Sequence, residues 1–280
     1  MQIETSKQNI FLNLKVEVYA GGEVIFDSGE STYGKLYFIL EGEVSVRVEG
    51  FAPSRVYVLQ KGSFFGETSL LDPIPRNETV TAFSGIVKIL ALNVIDYSKS
   101  IDLNKTMLKK LLDSANNRLN LAMNYFLSRK MDVPQETVKH DILTKIRKKN
   151  LAIIEKIHTP NNMYYDEKHT IYRENDLGKD SFYILEIGQV VTKRKQSEKS
   201  DYSTVLLHEE GDIFGEQAYF GSEGRKERAI VLSNRAKLRE IHHIAFDTLI
   251  NFESDFYINF IQSIVFKAYL IEQKIRMANS

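Results

Sequence analysis

Two short segments of the sequence combine a glycine, a glutamate and an arginine at the same spacing. In the first, Gly66-Glu67 is followed by Arg76. In the second, Gly215-Glu216 is followed by Arg225, so that each arginine comes nine residues after the glutamate. A glycine lets the backbone approach a ligand closely, because it has no Cβ. A carboxylate accepts hydrogen bonds from sugar hydroxyls, whereas a guanidinium matches two oxygens of a phosphate. The combination predicts a pocket for a phosphorylated sugar that keeps a free hydroxyl.

The residues that follow each glycine are expected to form a short helix, over residues 68–71 in the first segment. Backbone N–H groups in the first turn of a helix have no partner within that helix, and the helix dipole favours an anion there. The backbone therefore offers further donors to a phosphate beside Glu67 and Arg76.

Both segments lie at the end of a longer unit that the sequence contains twice. The first copy starts with residues 21–46 and the second with residues 166–191, and each runs through a polar turn into an aromatic strand ending in a glycine. Val44, Val46 and Val48 alternate with polar residues, which is the period of a half-buried strand. Short alternating strands separated by glycine-bearing turns predict an antiparallel barrel or sandwich in each half.

Helical periodicity follows each β-rich part. Residues 103–126 carry apolar side chains at helical spacing, with polar residues on the other face. A further helix is predicted to begin at Asp132, with Pro134 in its first turn and Gln135 at capping-box spacing. Residues 246–277 are expected to close the second copy as helix. We therefore place a boundary near residues 129–132, with domains of residues 1–130 and 131–280, the second preceded by a linking helix.

The two segments resemble the phosphate-binding cassette of the cyclic-nucleotide-binding domain family. That cassette reads Phe-Gly-Glu, a short helix and an arginine nine residues after the glutamate, as here from Phe65 to Arg76 and from Phe214 to Arg225. The upstream strands that end at Gly42 and Gly188 also resemble the family. The resemblance implies a mainly β fold with two antiparallel β-barrel, jelly-roll-like domains, each with flanking helices.

The resemblance also implies a role for each cassette residue. Glu67 and Glu216 are expected to accept the ribose 2′-hydroxyl, while Arg76 and Arg225 bind the cyclic phosphate. Backbone amides complete the cradle near Thr68, Ser69, Asn77, Gln217, Ala218 and Lys226. A side chain of the helices is expected to cap the purine, with Leu119, Met123, Phe126 and the aromatic residues 252, 256, 260, 266 and 269 as candidates.

The residues after each arginine depart from the family pattern, in which they are small. Here they are Asn77-Glu78 and Lys226-Glu227. An acidic side chain at this place either competes for the arginine, meets an amino group of the base, or points to solvent. Arg228 makes the second cassette more basic, which suits a ligand with more phosphate, such as a cyclic dinucleotide. We rank the ligands as cAMP, then cGMP, then another nucleotide.

Composition excludes several other classes of protein. The chain has 280 residues, 37 basic and 37 acidic, so no broad attraction to nucleic acid is expected. It contains no cysteine, which excludes disulfides and thiolate chemistry. Polar residues interrupt the most apolar segment, residues 256–271, and the N-terminus lacks the pattern of a signal peptide. We expect a cytoplasmic protein without a membrane span.

No catalytic motif is present and the six histidines lack metal-ligand spacing, so neither enzyme activity nor a cofactor is predicted.

The leading functional hypothesis is a non-enzymatic cyclic-nucleotide sensor that relays binding to an unidentified effector protein through helix rearrangement. Such a sensor is compatible with a homo-oligomer. The two-site layout resembles the regulatory subunits of cyclic-nucleotide-dependent protein kinases, but no inhibitor-like Arg-Arg-x-Ala/Ser segment precedes the first domain. The alternatives are a receptor for another nucleotide, or a transcription regulator resembling the bacterial cAMP receptor proteins, with residues 133–146 as recognition helix. The zero net charge disfavours the regulator.

Overall fold

The computed structural model of the chain describes residues 15–71, 73–94, 105–129, 141–156, 162–178, 180–195, 201–220, 224–252 and 254–279. They group into two compact units, Met1–Leu111 and Leu112–Ser280, and the division falls within helix α1 (Lys105–Ser128). The helix start predicted at Asp132 and most of the segment considered as a recognition helix lie outside the described residues. The domain boundary predicted near residues 129–132 stays a prediction.

The described residues of the first unit form eight strands. We call this set of strands the first repeat. They form two four-stranded sheets, in the orders β1-β8-β3-β6 and β2-β7-β4-β5, with antiparallel pairing throughout. A 3₁₀ helix, Glu67–Leu71, follows β6. The strands are β1 Lys15–Ala20, β2 Val24–Phe26, β3 Lys35–Glu41, β4 Glu43–Val48, β5 Tyr57–Gln60, β6 Phe64–Phe65, β7 Glu78–Ala82 and β8 Ile86–Asn93.

The second repeat has the same topology strand for strand. Its two antiparallel sheets have the orders β14-β11-β16-β9 and β10-β15-β12-β13, and a short helix α3, Glu216–Phe220, follows β14. The strands are β9 Asn162–Asp166, β10 Thr170–Tyr172, β11 Ser181–Ile187, β12 Val190–Lys195, β13 Tyr202–His208, β14 Ile213–Phe214, β15 Arg228–Val231 and β16 Arg235–His242. The predicted fold class is confirmed, with each jelly-roll-like repeat built as a pair of sheets.

The period-2 pattern of the sequence fixes which side chains face the space between the two sheets. In β4, Val44, Val46 and Val48 are buried, as the alternation predicts, and in β7 the buried positions are Glu78, Val80 and Ala82. The corresponding strand β15 buries Ala229 and Val231. In β15 the residues with odd residue numbers therefore point inward, and so does the odd-numbered residue directly before the strand.

Each repeat depends on a glycine at the turn between its third and fourth strands. Gly42 and Gly188 have φ values of +84° and +95°. A Cβ on Gly42 would lie 2.5 Å from the carbonyl oxygen of Ile86, and one on Gly188 would lie 2.3 Å from that of Arg235. Only glycine fits both the backbone conformation and the close approach of the neighbouring strand.

Helices complete the described structure. Besides α1 they are α2 Asp141–Lys156, α4 His243–Phe252 and α5 Ser254–Asn279. The helix predicted over residues 103–126 is confirmed by α1, whose apolar stripe of Leu108, Leu111, Ala115 and Leu119 is buried. The helical region predicted over residues 246–277 forms two helices, α4 and α5. Of the helices in the described ranges, none is long and apolar enough to cross a membrane.

Candidate ligand-binding cassettes

The guanidinium of Arg76 is buried against backbone carbonyls of its own cassette and of the segment that leads into β3. Its Nη1 donates to the carbonyl oxygen of Gly66 at 2.7 Å, and its Nη2 donates to that of Lys35 at 2.6 Å and to that of Thr32 at 3.4 Å. Only 3% of the residue is exposed. Arg76 therefore ties the first cassette, which we define as residues 65–78, to the loop before β3.

Stacked aromatic rings lie beside this guanidinium. The Cζ atom of Arg76 is 4.2 Å from the ring centroid of Phe26, a distance at which a cation is attracted by the face of the ring. Phe26, Tyr37 and Phe65 stack on one another with interplanar angles of 15°, 22° and 23°. The stack fixes the plane of the arginine side chain.

Arg225 has the same surroundings in the second cassette, residues 214–227, of which 221–223 lie outside the described residues. Its Nη1 donates to the carbonyl oxygen of Gly215, and its Nη2 donates to that of Ser181 at 2.8 Å. Its Cζ atom lies 4.4 Å from the ring centroid of Tyr172. The stacked rings in this repeat are Tyr172, Tyr183 and Phe214. The matched spacing in the sequence thus produces a matched arrangement in space.

The cassette glycines allow the arginines to take these positions. Gly66 and Gly215 have φ values of +75° and +78°. A Cβ on Gly66 would lie 2.7 Å from Nη1 of Arg76, and one on Gly215 would lie 2.5 Å from Nη1 of Arg225. The close backbone approach predicted for these glycines is therefore toward the protein's own guanidinium.

The cassette glutamates are buried in the first turn of their short helices, with 4% of Glu67 and 2% of Glu216 exposed. In the first cassette, Oγ1 of Thr68 donates to Oδ1 of Asn77 at 3.3 Å and so joins the helix to the segment after the arginine. The other predicted cradle residues Ser69 and Ala218 are buried, and Gln217 and Lys226 are half-buried.

In the second cassette the glutamate already has a cationic partner. Lys267, on α5, donates from Nζ to Oε1 of Glu216 at 2.6 Å, and both side chains are almost entirely buried. A buried ion pair is costly to disrupt on one side only, because the remaining charge is left without compensation. A ligand hydroxyl that takes this same oxygen, Oε1 of Glu216, must therefore displace Lys267.

Glu78 and Glu227 are buried, so the interpretation that they point to solvent is wrong. Only 3% of Glu78 and 9% of Glu227 is exposed. The physical reason is the alternation of β7 and β15, which turns both carboxylates inward. Oη of Tyr172 donates to Oε1 of Glu227 at 3.2 Å. Burial, and secondarily the charge of Glu216, raise the pKa of Glu227 to about 7.

The phenol of Tyr172 is influenced by three charged groups of the second cassette. Burial raises the pKa of this phenol well above its ordinary value, the charges of Glu227 and Glu216 raise it further, and the charge of Arg225 lowers it. Tyr172 thus contacts Arg225 through its ring face and Glu227 through its hydroxyl, and the charge of Glu216 acts on the same phenol.

Arg76 also lines a cavity of about 600 Å³ in the first repeat. Its wall includes cationic and aromatic side chains, among them Lys35, Tyr37, Tyr33, Tyr19 and Phe26. In the second unit, Nε2 of Gln217 donates to Sδ of Met123 at 2.7 Å, which places one predicted purine cap against the second cassette. Within the described ranges, no three His, Asp or Glu side chains are grouped to hold a metal ion.

Sequence reasoning missed two residues of the second cassette. Lys267 lies within the apolar segment 256–271, where a lysine on a buried helix face requires an acidic partner. Tyr172 occupies the position of Phe26 in the repeat, and its hydroxyl is the only difference between the two rings. A comparison of the two copies, position by position, would have found Tyr172.

The fold and the two cassettes define a protein with paired, jelly-roll-like ligand-binding domains. The chain belongs to the cyclic nucleotide-binding domain family, whose sequence profile matches residues 16–97 and 162–251, more than half of the chain. The predicted family is thereby confirmed for both repeats.

Curated relatives include kinase regulators. The chain is 28% identical over 223 residues to the cAMP-dependent protein kinase regulatory subunit of Dictyostelium discoideum, covering 77% of this chain and 60% of the relative. It is 32% identical over 114 residues to the type II regulatory subunit of Drosophila melanogaster, covering 40% and 30%. The chain thus spans 60% or less of the length of these relatives. A solved structure of the regulatory domain of Toxoplasma gondii PKA with cAMP covers 88% of this chain and is itself covered to 85%, at 21% identity and a TM-score of 0.32.

Proposed function

We propose that this protein is a cyclic-nucleotide sensor without catalytic activity, with cAMP as its first ligand, ahead of cGMP and of other nucleotides. The observation that carries the proposal is the matched pair of cassettes, each with a stacked, buried arginine and a buried glutamate at the start of a short helix. Membership of the cyclic nucleotide-binding domain family supports the ligand class. The relatives named as cAMP-dependent protein kinase regulatory subunits support cAMP.

In this proposal the two charged residues of each cassette have different roles. Arg76 and Arg225 neutralise the cyclic phosphate, whose oxygens match the planar fork of a guanidinium. Glu67 and Glu216 accept a ribose hydroxyl. Backbone amides from residues 68, 69, 77, 217, 218 and 226 contribute the remaining donors.

The relay that we propose for the second repeat starts at helix α3. Its residues Tyr219 and Phe220 contact Phe246 of α4 at ring-centroid distances of 5.5 and 5.4 Å, and Phe220 contacts Phe260 of α5 at 5.5 Å. Lys267 adds a polar link between α5 and the same cassette. Because these rings are closely packed, a shift of α3 on ligand binding forces α4 and α5 to repack. An effector protein that contacts α4 or α5 would then detect the ligand, provided that the ligand prefers one helix arrangement.

Isothermal titration calorimetry of the full chain tests this function. Wild-type protein, Arg76→Ala and Arg225→Ala are titrated with cAMP, cGMP and a panel of cyclic dinucleotides. We expect two sites for cAMP in the wild type and the loss of one site in each variant. Arg173→Ala removes an exposed arginine near the second cassette and serves as the control. Absence of binding for every nucleotide, or an unchanged number of sites in both cassette variants, would refute the proposal.

A further inference from the structure

Glu227 is a buried carboxylate that the cassette scheme leaves without a role. Its Oε1 accepts a hydrogen bond from Tyr172, but its Oε2 has no hydrogen-bond partner among the residues that the structure describes. A buried polar atom left unsatisfied lowers stability appreciably, so such an atom in a native fold calls for an explanation. Its inward direction follows from strand alternation, as it does for Glu78.

Charged and titratable groups from four elements act on this carboxylate. They are Tyr172 on β10, Glu216 on α3, Lys267 on α5 and Arg194 on β12, and each acts on its protonation. Glu227 is therefore within electrostatic reach of both members of the Glu216–Lys267 ion pair. Burial, and secondarily the charge of Lys267, lower the pKa of the neighbouring His208 imidazole well below its ordinary value.

We propose that Glu227 is the alternative acceptor for Lys267: when a ligand hydroxyl takes Oε1 of Glu216 from Lys267, the Lys267 ammonium moves to the unpaired Oε2 of Glu227. This inference rests on the proposed function and specifies how the second cassette controls α5. Without such an acceptor, the ligand would leave a buried ammonium unpaired. With it, the second cassette holds one ion pair before and after ligand binding, and only the acceptor changes.

The exchange of partners releases a proton. Before binding, Glu227 is largely protonated below pH 7, and after the exchange it is ionised beside the ammonium, so its proton leaves to solvent. Ligand affinity of the second cassette therefore increases as the pH rises from 6 to about 7, by up to about tenfold per pH unit for one linked proton, and then levels off.

The binding test uses Arg76→Ala as background, so that only the second cassette binds cAMP. We expect calorimetry at pH 6.5, in buffers of different ionisation enthalpy, to detect proton release. Glu227→Gln should abolish the release and the pH dependence, and lower affinity about tenfold at pH 8. Glu155→Gln, the same change at an exposed glutamate of α2 outside the cassettes, is the control and should leave the proton release, the pH dependence and the affinity unchanged.

A double-mutant cycle isolates the interaction between Glu227 and Lys267. With Lys267→Met, no ammonium has to find a second acceptor, so Glu227→Gln should no longer alter affinity or proton release. An equal effect of Glu227→Gln in the presence and absence of Lys267 would overturn the inference, even if cAMP binds well.

A ligand-free measurement separates failure of this inference from failure of the proposed function. Glu216→Gln removes the first acceptor, so Lys267 should turn to Glu227 and lower the pKa of its carboxyl, observed by ¹³C NMR. Removal of the Glu216 charge lowers that pKa by itself, and therefore the fall must be clearly smaller in the Lys267→Met background. Equal falls in the two backgrounds would contradict the exchange, whether or not any nucleotide binds. If Glu216→Gln does not fold, the double-mutant cycle between Glu227→Gln and Lys267→Met still tests whether Lys267 changes its acceptor.

Discussion

Replacement of Glu227 by Gln should stabilise the protein at neutral and alkaline pH. The amide is close in shape to the protonated carboxyl, and its oxygen can still accept the hydrogen bond from Tyr172. The amide cannot ionise. The substitution therefore removes the free-energy cost of a buried negative charge and leaves the packing of the second repeat nearly unchanged.

The size of this effect follows from the pKa. Burial raises the pKa of Glu227 from its ordinary value of 4.5 to about 7, so the folded state holds a proton that the unfolded chain has already lost. The wild type consequently loses stability as the pH rises from 4.5 to 7, at about 1.4 kcal/mol per pH unit. At pH 8 the variant should be more stable than the wild type by about 3 kcal/mol relative to their difference at pH 4.5.

Urea denaturation between pH 4.5 and 8, followed by far-UV circular dichroism, measures this difference. Because a chain with two compact units need not unfold in one transition, amide exchange in β10 and β15 is measured separately by mass spectrometry. Glu155→Gln alters an exposed glutamate of α2 and is the control. The titration of other groups, such as His208, is common to all three proteins and cancels in the comparison.

If the stability curves of wild type and Glu227→Gln run parallel over this pH range, the pKa of Glu227 is not raised in the folded state and the prediction is refuted. Such a result would mean that the carboxylate is already ionised in the folded state, with a partner strong enough to offset its burial.

Three further changes probe the cassettes and the helices. Arg76→Ala should weaken cAMP binding to the first site by at least ~2 kcal/mol, or more than tenfold by calorimetry, because charged hydrogen bonds are lost. Gly66→Ala should lower the free energy of unfolding by about 1–3 kcal/mol, since φ is +75° and the new Cβ meets the Arg76 guanidinium. Arg118→Ala should cost about 3–5 kcal/mol in urea denaturation, because it removes one side of a buried ion pair in which Arg118 donates two hydrogen bonds of 3.0 and 2.8 Å to Glu272; no loss of stability would contradict this.

Much of the fold could be predicted because its signals are local and occur twice. The alternation of Val44, Val46 and Val48 depends only on the two-residue period of a strand. The apolar stripe of α1 depends only on the helical period. The cassette spacing predicted the short helix, whose position at Glu67–Leu71 agrees with the expected residues 68–71 to within one residue.

Sequence alone also located the two segments in which a glycine, a glutamate and an arginine occur at one spacing, one in each copy. It could not determine what each side chain contacts. Glu227 is buried because β15 alternates from that position, and Lys267 reaches Glu216 from a helix 51 residues further along the chain. Contacts between residues so far apart depend on how strands and helices pack in three dimensions, and no local period of the sequence encodes that packing.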